Sequence, residues 1–485
     1  MADRYRRRAP SPDEVTRAAR AALRPGEAGW LVGGCLRDEL LGCRVRDIDI
    51  AVDGDVESLA RALADKLEGS VFVTSDVFGG RRVVVGDLHI DVAALRAGPP
   101  GTAPDPASRA VRLEADLRGR DVTVDALARP LDGDDLVDPL SGLDDLAAGR
   151  LRLCSPTALA DDPLRVMRLA RLARAFDLVP DAAATEAAFR AATGLARVSG
   201  ERIRDELSAL LATRTASFAL RDLAVWGALA EVLPELDGLR GVEQNPYHHL
   251  DVFEHTLEAL TYVGGVVAQL GGRSFLASPA EVGLPGVEPL VPVSWAVLLH
   301  DIGKPAVRVV DERGRVIFWH HDEIGRQMTA GIGARFNLSK RFIEYLGTLV
   351  RQHLRLGFLV REQPLTKRAL ARYRRDVDPW VFESVVVSLC DRLATRGEKT
   401  SLTSMARHYR LARSVWSSVN KEPVPQLLRG EDVMELLELE PGPDVGRALD
   451  ALEEEVESGE VTDADGARAF LLAWWAREGS SRGEP

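Results

Sequence analysis

Cysteine is scarce in this chain. Four residues, Cys35, Cys43, Cys154 and Cys390, make no CxxC pair and no regular framework. That excludes a disulfide scaffold and points to reduced thiols in a cytoplasmic protein. Long apolar runs are also missing, so no membrane-spanning segment is expected. The basic stretch Arg4 to Arg8 runs into Ala9-Pro10-Ser11-Pro12 rather than an apolar segment, which excludes a signal peptide. Aromatics make up only 6%, and the abundance of Ala, Leu and Arg favours helices over sheets. Overall basic charge is lacking too, since the formal net charge is −12. Net charge is a blunt measure where distribution matters more. Between Ser339 and Arg375 about ten basic residues face two acidic ones. That stretch reads equally as an RNA-facing surface or as a solvated helix face.

What is present is length and a change of pattern. At 485 residues the chain exceeds a single core, and three or four domains are expected. Strand-like runs at Trp30–Val32, Ile48–Val52, Val71–Thr74, Arg82–Val85 and His89–Val92 alternate with helical stretches such as Val56–Leu67. From about residue 155 apolar residues recur at helical spacing. The fold class is therefore α+β, a small α/β head followed by a mostly helical body. Residues 264–292 are rich in Gly, Pro and Ser and read as a long loop. A further break falls near Asn420-Lys421-Glu422-Pro423.

The most informative stretch is residues 32–53, VGGCLRDELLGCRVRDIDIAVD. Gly33 and Gly34 precede a short helical segment, where a phosphate can approach backbone N–H groups. Asp47 and Asp49 lie two apart in an apolar run and therefore share a strand face. Paired carboxylates beside a phosphate cradle suit metal-assisted nucleotidyl transfer. Asp91, in Leu88-His89-Ile90-Asp91-Val92, is the candidate third carboxylate on a neighbouring strand.

Three more segments follow in order: Arg118-Gly119-Arg120-Asp121-Val122-Thr123-Val124-Asp125, Asp138-Pro139-Leu140-Ser141-Gly142-Leu143-Asp144-Asp145, and Asp161-Asp162-Pro163-Leu164-Arg165-Val166-Met167-Arg168 with Arg171 beyond. Pro163 suits a first helical turn. On that reading Asp162, Arg165 and Arg168 step by three along one face. An aspartate beside an arginine can read a base edge: Asp accepts from the exocyclic amine of C or A, and Arg donates to the adjacent ring acceptor.

These segments, closed by Ser199-Gly200-Glu201-Arg202-Ile203-Arg204-Asp205-Glu206-Leu207, resemble the ordered motifs of the class II tRNA nucleotidyltransferase and bacterial poly(A) polymerase family over about Leu31 to Leu211. The resemblance implies addition of CCA, or part of it, to tRNA from CTP and ATP without a nucleic-acid template. It further implies that Gly33, Gly34 and Arg37 meet the nucleotide phosphates, that Asp47 and Asp49 bind Mg2+, and that Arg120 contacts the nucleotide. Asp162 and Arg165 would read the base, with Arg168 and Arg171 reaching the triphosphate or supporting that pair. The chain departs from the family where Gly119-Arg120-Asp121-Val122-Thr123 replaces the usual Arg-Arg-Asp-Phe-Thr, where Asp161 replaces Glu, and where Asp125 stands for a frequent Asn. The loop between Arg96 and Asp116 falls where the family switches from C to A. Phe78-Gly79-Gly80-Arg81-Arg82 does not clearly match the polyadenylating branch.

Downstream, Tyr247-His248-His249-Leu250-Asp251-Val252-Phe253-Glu254-His255, His300-Asp301-Ile302-Gly303-Lys304, Trp319-His320-His321-Asp322 and Cys390-Asp391 hold most of the histidines. Imidazole with carboxylate suits a divalent metal that keeps an open water position. His255, His300-Asp301 and Asp391 resemble the HD phosphohydrolase superfamily and imply a divalent metal in addition to the head's, with His320, His321 and His353 extending the site to a second metal. The expected division is an N-terminal extension (1–28), a catalytic head (29–150), a helical neck with base recognition (151–235), an HD-type body (236–400) and an RNA-binding tail (401–485), in which Pro441-Gly442-Pro443 opens a helix. Three rival readings are a CC-adding, A-adding or poly(A) relative, a phosphohydrolase with the head as a nucleotide sensor, and an inactive RNA-binding protein. The sequence leaves the oligomeric state open.

Overall fold

A computed structural model of the protein describes residues 10–75, 80–86, 88–95, 106–360, 366–419 and 427–481. The basic stretch Arg4 to Arg8, Phe78-Gly79, residues 96–105 of the expected loop between Arg96 and Asp116, and Asn420-Lys421-Glu422-Pro423 lie outside them, and the remainder of that expected loop is helical, Pro106–Arg118. The chain divides into two compact units, residues 1–198 with 218–232, and residues 199–217 with 233–485.

The first unit is built on a six-stranded sheet: β1 (Ala28–Val32), β2 (Asp47–Asp53), β3 (Ser70–Ser75), β4 (Gly80–Val85), β5 (Leu88–Ala94) and β6 (Ala128–Pro130), in the order β3-β4-β5-β2-β1-β6. Helix Val56–Leu67 forms where expected. Asp55 caps it by accepting from Ser58 N, and Leu59, Ala60, Leu63 and Ala64 are buried, the i, i+1, i+4, i+5 set of one apolar stripe. These side chains join Leu31, Ile48, Ile50, Val83, Ile90 and Val92 in one core. Alternation along β2 sends Ile48, Ile50 and Val52 into that core and leaves Asp47 and Asp49 on the opposite side. Strand β6 was not legible in the sequence, because Ala128-Arg129-Pro130 carries no alternation and only three residues pair. Apart from a short parallel pair, Arg150–Leu151 with Val179–Pro180, the remaining elements of this unit are helical and include helix Arg165–Ala175.

Among the described residues, the regular elements of the second unit are helices apart from the two-stranded pair Val309–Val310 with Val316–Ile317. Its centre is helix Val291–Leu299, buried at all nine positions, a helix that is apolar all round and is packed on every side. Helix Val252–Gln269 runs through Gly264 and Gly265, so the expected loop at 264–292 begins later, after Leu270. Buried Val263, Val266 and Val267 outweigh glycine's cost of about 1 kcal/mol per residue in a helix. Pro443 does open a helix, Pro443–Ser458. The tail from Leu428 to Leu471 has a small core of its own.

Several arginines of the basic stretch in this unit are paired with carboxylates. Arg368 and Arg372 reach Glu454 at 2.8 and 2.9 Å, and Arg368 also pairs with Glu455. Arg355 holds Asp376 at 2.6 Å, and Arg351 holds Glu323 at 2.8 Å. These arginines are paired yet stay about 39–52% exposed, on a solvated face. Much of their charge joins the tail to the body.

Candidate functional sites

The head site grows from strand register. In the parallel pairing of β2 with β5, Asp49 stands opposite Asp91, and Asp47 opposite His89. Asp47 is exposed, with Oδ1 3.3 Å from His89 Nδ1. Asp91 is clasped by Arg82 through two bonds, Nε to Oδ1 at 2.8 Å and Nη2 to Oδ2 at 2.7 Å. Burial pushes the Asp49 carboxyl up to about 6; Arg120 opposes this, while Asp91 and Asp47 add to it. Two further carboxylates beside Asp49 disfavour its ionisation without a cation, and an all-oxygen donor set suits a hard ion such as magnesium. These residues fit the ion.

Gly33 follows β1 with φ +86°, and a β-carbon there would collide with Arg120 Nη1 and lie 3.3 Å from Asp49 Oδ2. Only glycine combines that backbone with such an approach. Gly33, Asp49 and Arg120 therefore meet at one point. Arg120 Nε is buried without a hydrogen-bond partner. A β-carbon on Gly34 would lie 3.1 Å from Arg37 Nη2. Arg37 itself is buried. It donates to Asp125 Oδ1, bonds Asp38 Oδ1 from Nε and Nη2 at 3.0 and 2.7 Å, and lies 4.0 Å over the Phe176 ring. The structure thus places Arg37 in an internal network with Asp125, the residue that departs from the family's Asn.

Helix Arg165–Ala175 begins after Asp162, which is extended (φ −144°, ψ 98°). The expected single face of Asp162, Arg165 and Arg168 is thereby corrected: only Arg165, Arg168 and Arg171 share the helix. Pro163-Leu164 form a turn, and Asp162 Oδ1 accepts from Leu164 N at 3.3 Å. Arg165 donates to Ala158 O at 3.1 Å and Gly119 O at 2.9 Å. Arg168 Nε donates to Asp121 Oδ2 at 2.6 Å. Burial would push the Asp121 carboxyl up, but Arg168 and Arg165 hold it below the usual range. Arg171 is half-buried one turn further on. The Asp138 segment proves to be scaffolding. Asp138 accepts from Gly142 N and Leu143 N at 2.8 and 2.9 Å, and buried Asp145 ties Thr123 Oγ1 at 2.6 Å to Arg150 and Arg152.

The second site lies within the second unit. His255 sits on helix Val252–Gln269, His300 and His353 just past the ends of helices Val291–Leu299 and Lys340–Gln352, His321 at the start of His321–Arg335, and Asp391 on Val381–Ala394. His255, His300, Asp301 and His353 are at most 1% exposed. Nδ1 of His300, His321 and His353 lies 2.7 Å from the carbonyls of Val297, Phe318 and Val350, and Nδ1 of His255 lies 3.3 Å from Ala394 O. A carbonyl only accepts, so each Nδ1 carries the proton, and each Nε2 is left as a lone pair. For His300 and His353 that bond also satisfies a terminal helix carbonyl.

Every one of those Nε2 atoms faces a carboxylate. Asp301 Oδ2 is 3.1 Å from His300 Nε2 and 3.5 Å from His255 Nε2, while Oδ1 is 3.3 Å from His321 Nε2 and 3.6 Å from His353 Nε2. Asp391 Oδ1 is 3.1 Å from His255 Nε2. Acceptor against acceptor in a dry site calls for a cation, and the buried Nε2 atoms of His255 and His300 have no hydrogen-bond partner. Lys304 supplies one positive charge, 2.6 Å from Asp301 Oδ2 and 2.7 Å from Gln244 Oε1. Burial would raise the Asp301 carboxyl, but in the absence of a metal a proton on His300 Nε2, together with Lys304, holds it far below the usual range. Burial, with His300 and His321 nearby, pushes His353 down to about 3. His320 is exposed with φ 62° and joins none of these groups. Gln244 carried no signal in the sequence, since a lone glutamine in a loop has no spacing to read.

Residues 29–152 match the family described as the Poly A polymerase head domain, residues 182–239 the one described as a probable RNA and SrmB-binding site of polymerase A, and residues 252–396 the HD domain. The chain is 36% identical to an A-adding tRNA nucleotidyltransferase of Deinococcus radiodurans, over 97% of this chain and 98% of that one. It is 35% identical to a CC-adding tRNA nucleotidyltransferase of Thermus thermophilus, over 94% and 95%. Its fold is similar to a CCA-adding enzyme solved with CTP, with a TM-score of 0.60 and 18% identity over 95% of this chain and 98% of that chain. No helix among the described residues is long and apolar enough to cross a membrane.

Proposed function

This chain belongs to the tRNA nucleotidyltransferase family and is an RNA nucleotidyltransferase, and from that premise we propose that it builds or repairs the CCA end of tRNA from CTP and ATP, in the cytoplasm. The observation that carries this reading is the register of Asp49 against Asp91, with Asp47 on the same face and Arg120 lodged over Gly33. The work divides among a head over 29–150, a base-reading neck over 151–235, an HD-type body over 236–400 and a tRNA-binding tail over 401–485.

The RNA 3′ oxygen bonds to the α-phosphorus, the bond from that phosphorus to the bridging oxygen breaks, and pyrophosphate leaves with the electron pair. Asp47 and Asp49, with Asp91 beside them, would hold magnesium, which when bound supplies neutralisation at the phosphates and a more acidic attacking hydroxyl. The same carboxylates are the bases at hand for the hydroxyl proton. Arg120 and Arg168, the cations that act on Asp49, are placed to meet the triphosphate, with Arg171 one turn beyond Arg168. Gly33 and Gly34 keep the approach to the backbone open. Arg37 acts by fixing that turn from within. Asp162 and Arg165 read the base edge, each already oriented by a backbone bond.

A narrower output, CC or A alone, is favoured by one observation. Relatives named for those partial additions match across nearly the whole chain. Incorporation of each labelled NTP into tRNA transcripts ending at the discriminator base, at C and at CC tests both readings. C, C and then A, stopping there, marks a complete enzyme, and a single class of addition marks a partial one. Failure on all three transcripts would overturn the proposal.

The HD-type site is a second metal centre in this reading, with His255, His300, Asp301 and Asp391 as ligands. Its opposed lone pairs support it, and they fit a divalent ion better than packing alone. Hydrolysis of phosphate esters is the chemistry such an ion serves.

A further inference from the structure

Arg82 lies on β4 directly across from Asp91 on β5. Asp91 in turn stands opposite Asp49 on β2, and Asp49 opposite Val32 on β1. Paired residues of neighbouring strands point to the same side of a sheet, so Arg82, Asp91 and Asp49 share one face. Gly33 follows Val32 at the far end of this row, with Arg120 lodged against it. The row thus has an arginine at each end and Asp49 between them. Alternation along β4 keeps the neighbours of Arg82 away from this face: Val83 is buried in the core, and Arg81 pairs with Glu57 on the helix that covers that core. The two bonds from Nε and Nη2 to Asp91 aim the Arg82 guanidinium, the fork geometry that a carboxylate and an arginine favour. The side chain is still 41% exposed. A guanidinium has further N–H donors in the same plane, and these remain for another acceptor.

The direction of nucleotidyl transfer gives the two ends of the row different work. On the reading above, the triphosphate lies at Gly33, Arg120 and Arg168, on the β1 side of Asp49. Attacking and leaving oxygens stand in line on opposite sides of the α-phosphorus. The RNA 3′ oxygen then arrives from the β5 side, and the nucleotide that carries it lies over β5 and β4. The nearest anion behind that oxygen is the phosphate on the 5′ side of the same nucleotide. Neighbouring strands are about 5 Å apart, which leaves that phosphate within the reach of an arginine on β4. Resting on the nucleotidyl-transfer reading, we propose that Arg82, aimed by Asp91, binds the last internucleotide phosphate of the RNA 3′ end. A phosphate contact positions an RNA without reading its sequence, which suits an end whose last base changes with each addition. Asp91 is then a positioning residue for Arg82 as well as a neighbour of Asp49.

A cycle between protein and RNA tests this on the full-length chain. A tRNA end that the wild type extends is prepared with its natural last phosphate or with a neutral methylphosphonate in that place. Steady-state constants for RNA and for NTP are then compared in the wild type, Arg82→Met and Arg82→Lys. Arg82→Met should raise the KM for natural RNA by about tenfold or more, as the loss of a hydrogen bond to a charged group does, and leave the KM for NTP unchanged. Arg82→Lys should recover part of that loss. The neutral linkage should weaken the wild type to a similar extent and Arg82→Met hardly at all. Filter binding of the same RNA without nucleotide gives a readout independent of turnover. There the slope of log Kd against log salt should fall by about 0.7 in Arg82→Met, the share of one phosphate contact on a single strand. A neutral linkage that weakens the wild type and Arg82→Met equally, or a rise in the KM for NTP in place of RNA, would overturn the role of Arg82. No addition by the wild type, or addition that survives in Asp49→Ala, would overturn the nucleotidyl-transfer reading beneath it.

Discussion

The head site and the HD-type site are both built from carboxylates short of positive charge, and they resolve that shortage differently. In the head the donors are oxygens on neighbouring strands, and arginines stand in for the cation: Arg82 on Asp91 and Arg120 beside Asp49. In the HD-type site the donors are mostly imidazoles at helix ends, dry and fixed in one tautomer by helix carbonyls. The first arrangement suits an ion that arrives with its nucleotide, because long arginine side chains can turn to phosphate when it comes. The second suits a resident ion, because nothing in it needs to move. On the proposed reading, one chain would carry two metal chemistries with different demands on order.

The comparison breaks most visibly at Asp49. Asp49→Ala should lower nucleotide addition by at least about 10³-fold, since an ion's share of transition-state neutralisation is several kcal/mol. Binding of tRNA, followed by gel shift, should be largely kept. Retained addition would sink the assignment of Asp49 to the metal. The reciprocal change, His300→Ala, should cost at least about tenfold in metal affinity at the HD-type site while addition stays within about twofold, as sites with no shared partners are nearly independent. A collapse of addition in that variant would show that the two chemistries are coupled.

Finer changes sharpen the contrast. Lys304 pairs with the carboxylate oxygen a metal would share, so Lys304→Met should tighten metal binding, by about tenfold if the competing charge costs about 1–2 kcal/mol. Weaker binding, read by calorimetry, would instead mean that Lys304 orients Asp301. The smallest effect concerns pH. Burial raises the Asp49 carboxyl to about 6, above its ordinary value of 3.8. A carboxyl raised on folding favours the folded state most below its unfolded pKa, and that advantage is lost as pH rises through the folded value. In EDTA, Asp49→Asn should therefore raise the head's melting temperature more at pH 7.5 than at pH 5, by about 2–4 °C per kcal/mol relieved. An equal gain at both pH values would contradict the burial of a charged Asp49.

Most of the head was legible because a period of two is hard to produce by accident. Asp47 and Asp49 between Ile48 and Ile50 fixed both the strand and its polar face, and five of six strands were placed within a few residues. The register of Asp49 against Asp91 was beyond such reading, since it depends on which strand becomes the neighbour. The fate of Arg37 was hidden for a related reason: a glycine turn with an arginine reads as a phosphate grip, and only the fold reveals Asp125 and Phe176 around it. Asp162 was misplaced because a proline that suits a first helical turn also suits the turn before one. The histidine cluster was legible in part. The His-Asp pair and its spacing stood out, but Gln244, which holds Lys304, comes from a loop, where no period exists. The arginines between Ser339 and Arg375 showed their charge in the sequence but not Glu454, their partner from the tail.

The most direct test of two separable sites is one incorporation assay run side by side on the wild type, Asp49→Ala and His300→Ala, with labelled CTP and ATP on tRNA transcripts ending at the discriminator base and at CC. The expected result is loss of addition in Asp49→Ala alone, with His300→Ala matching the wild type on every transcript. Addition that survives in Asp49→Ala, or fails equally in both variants, would contradict it.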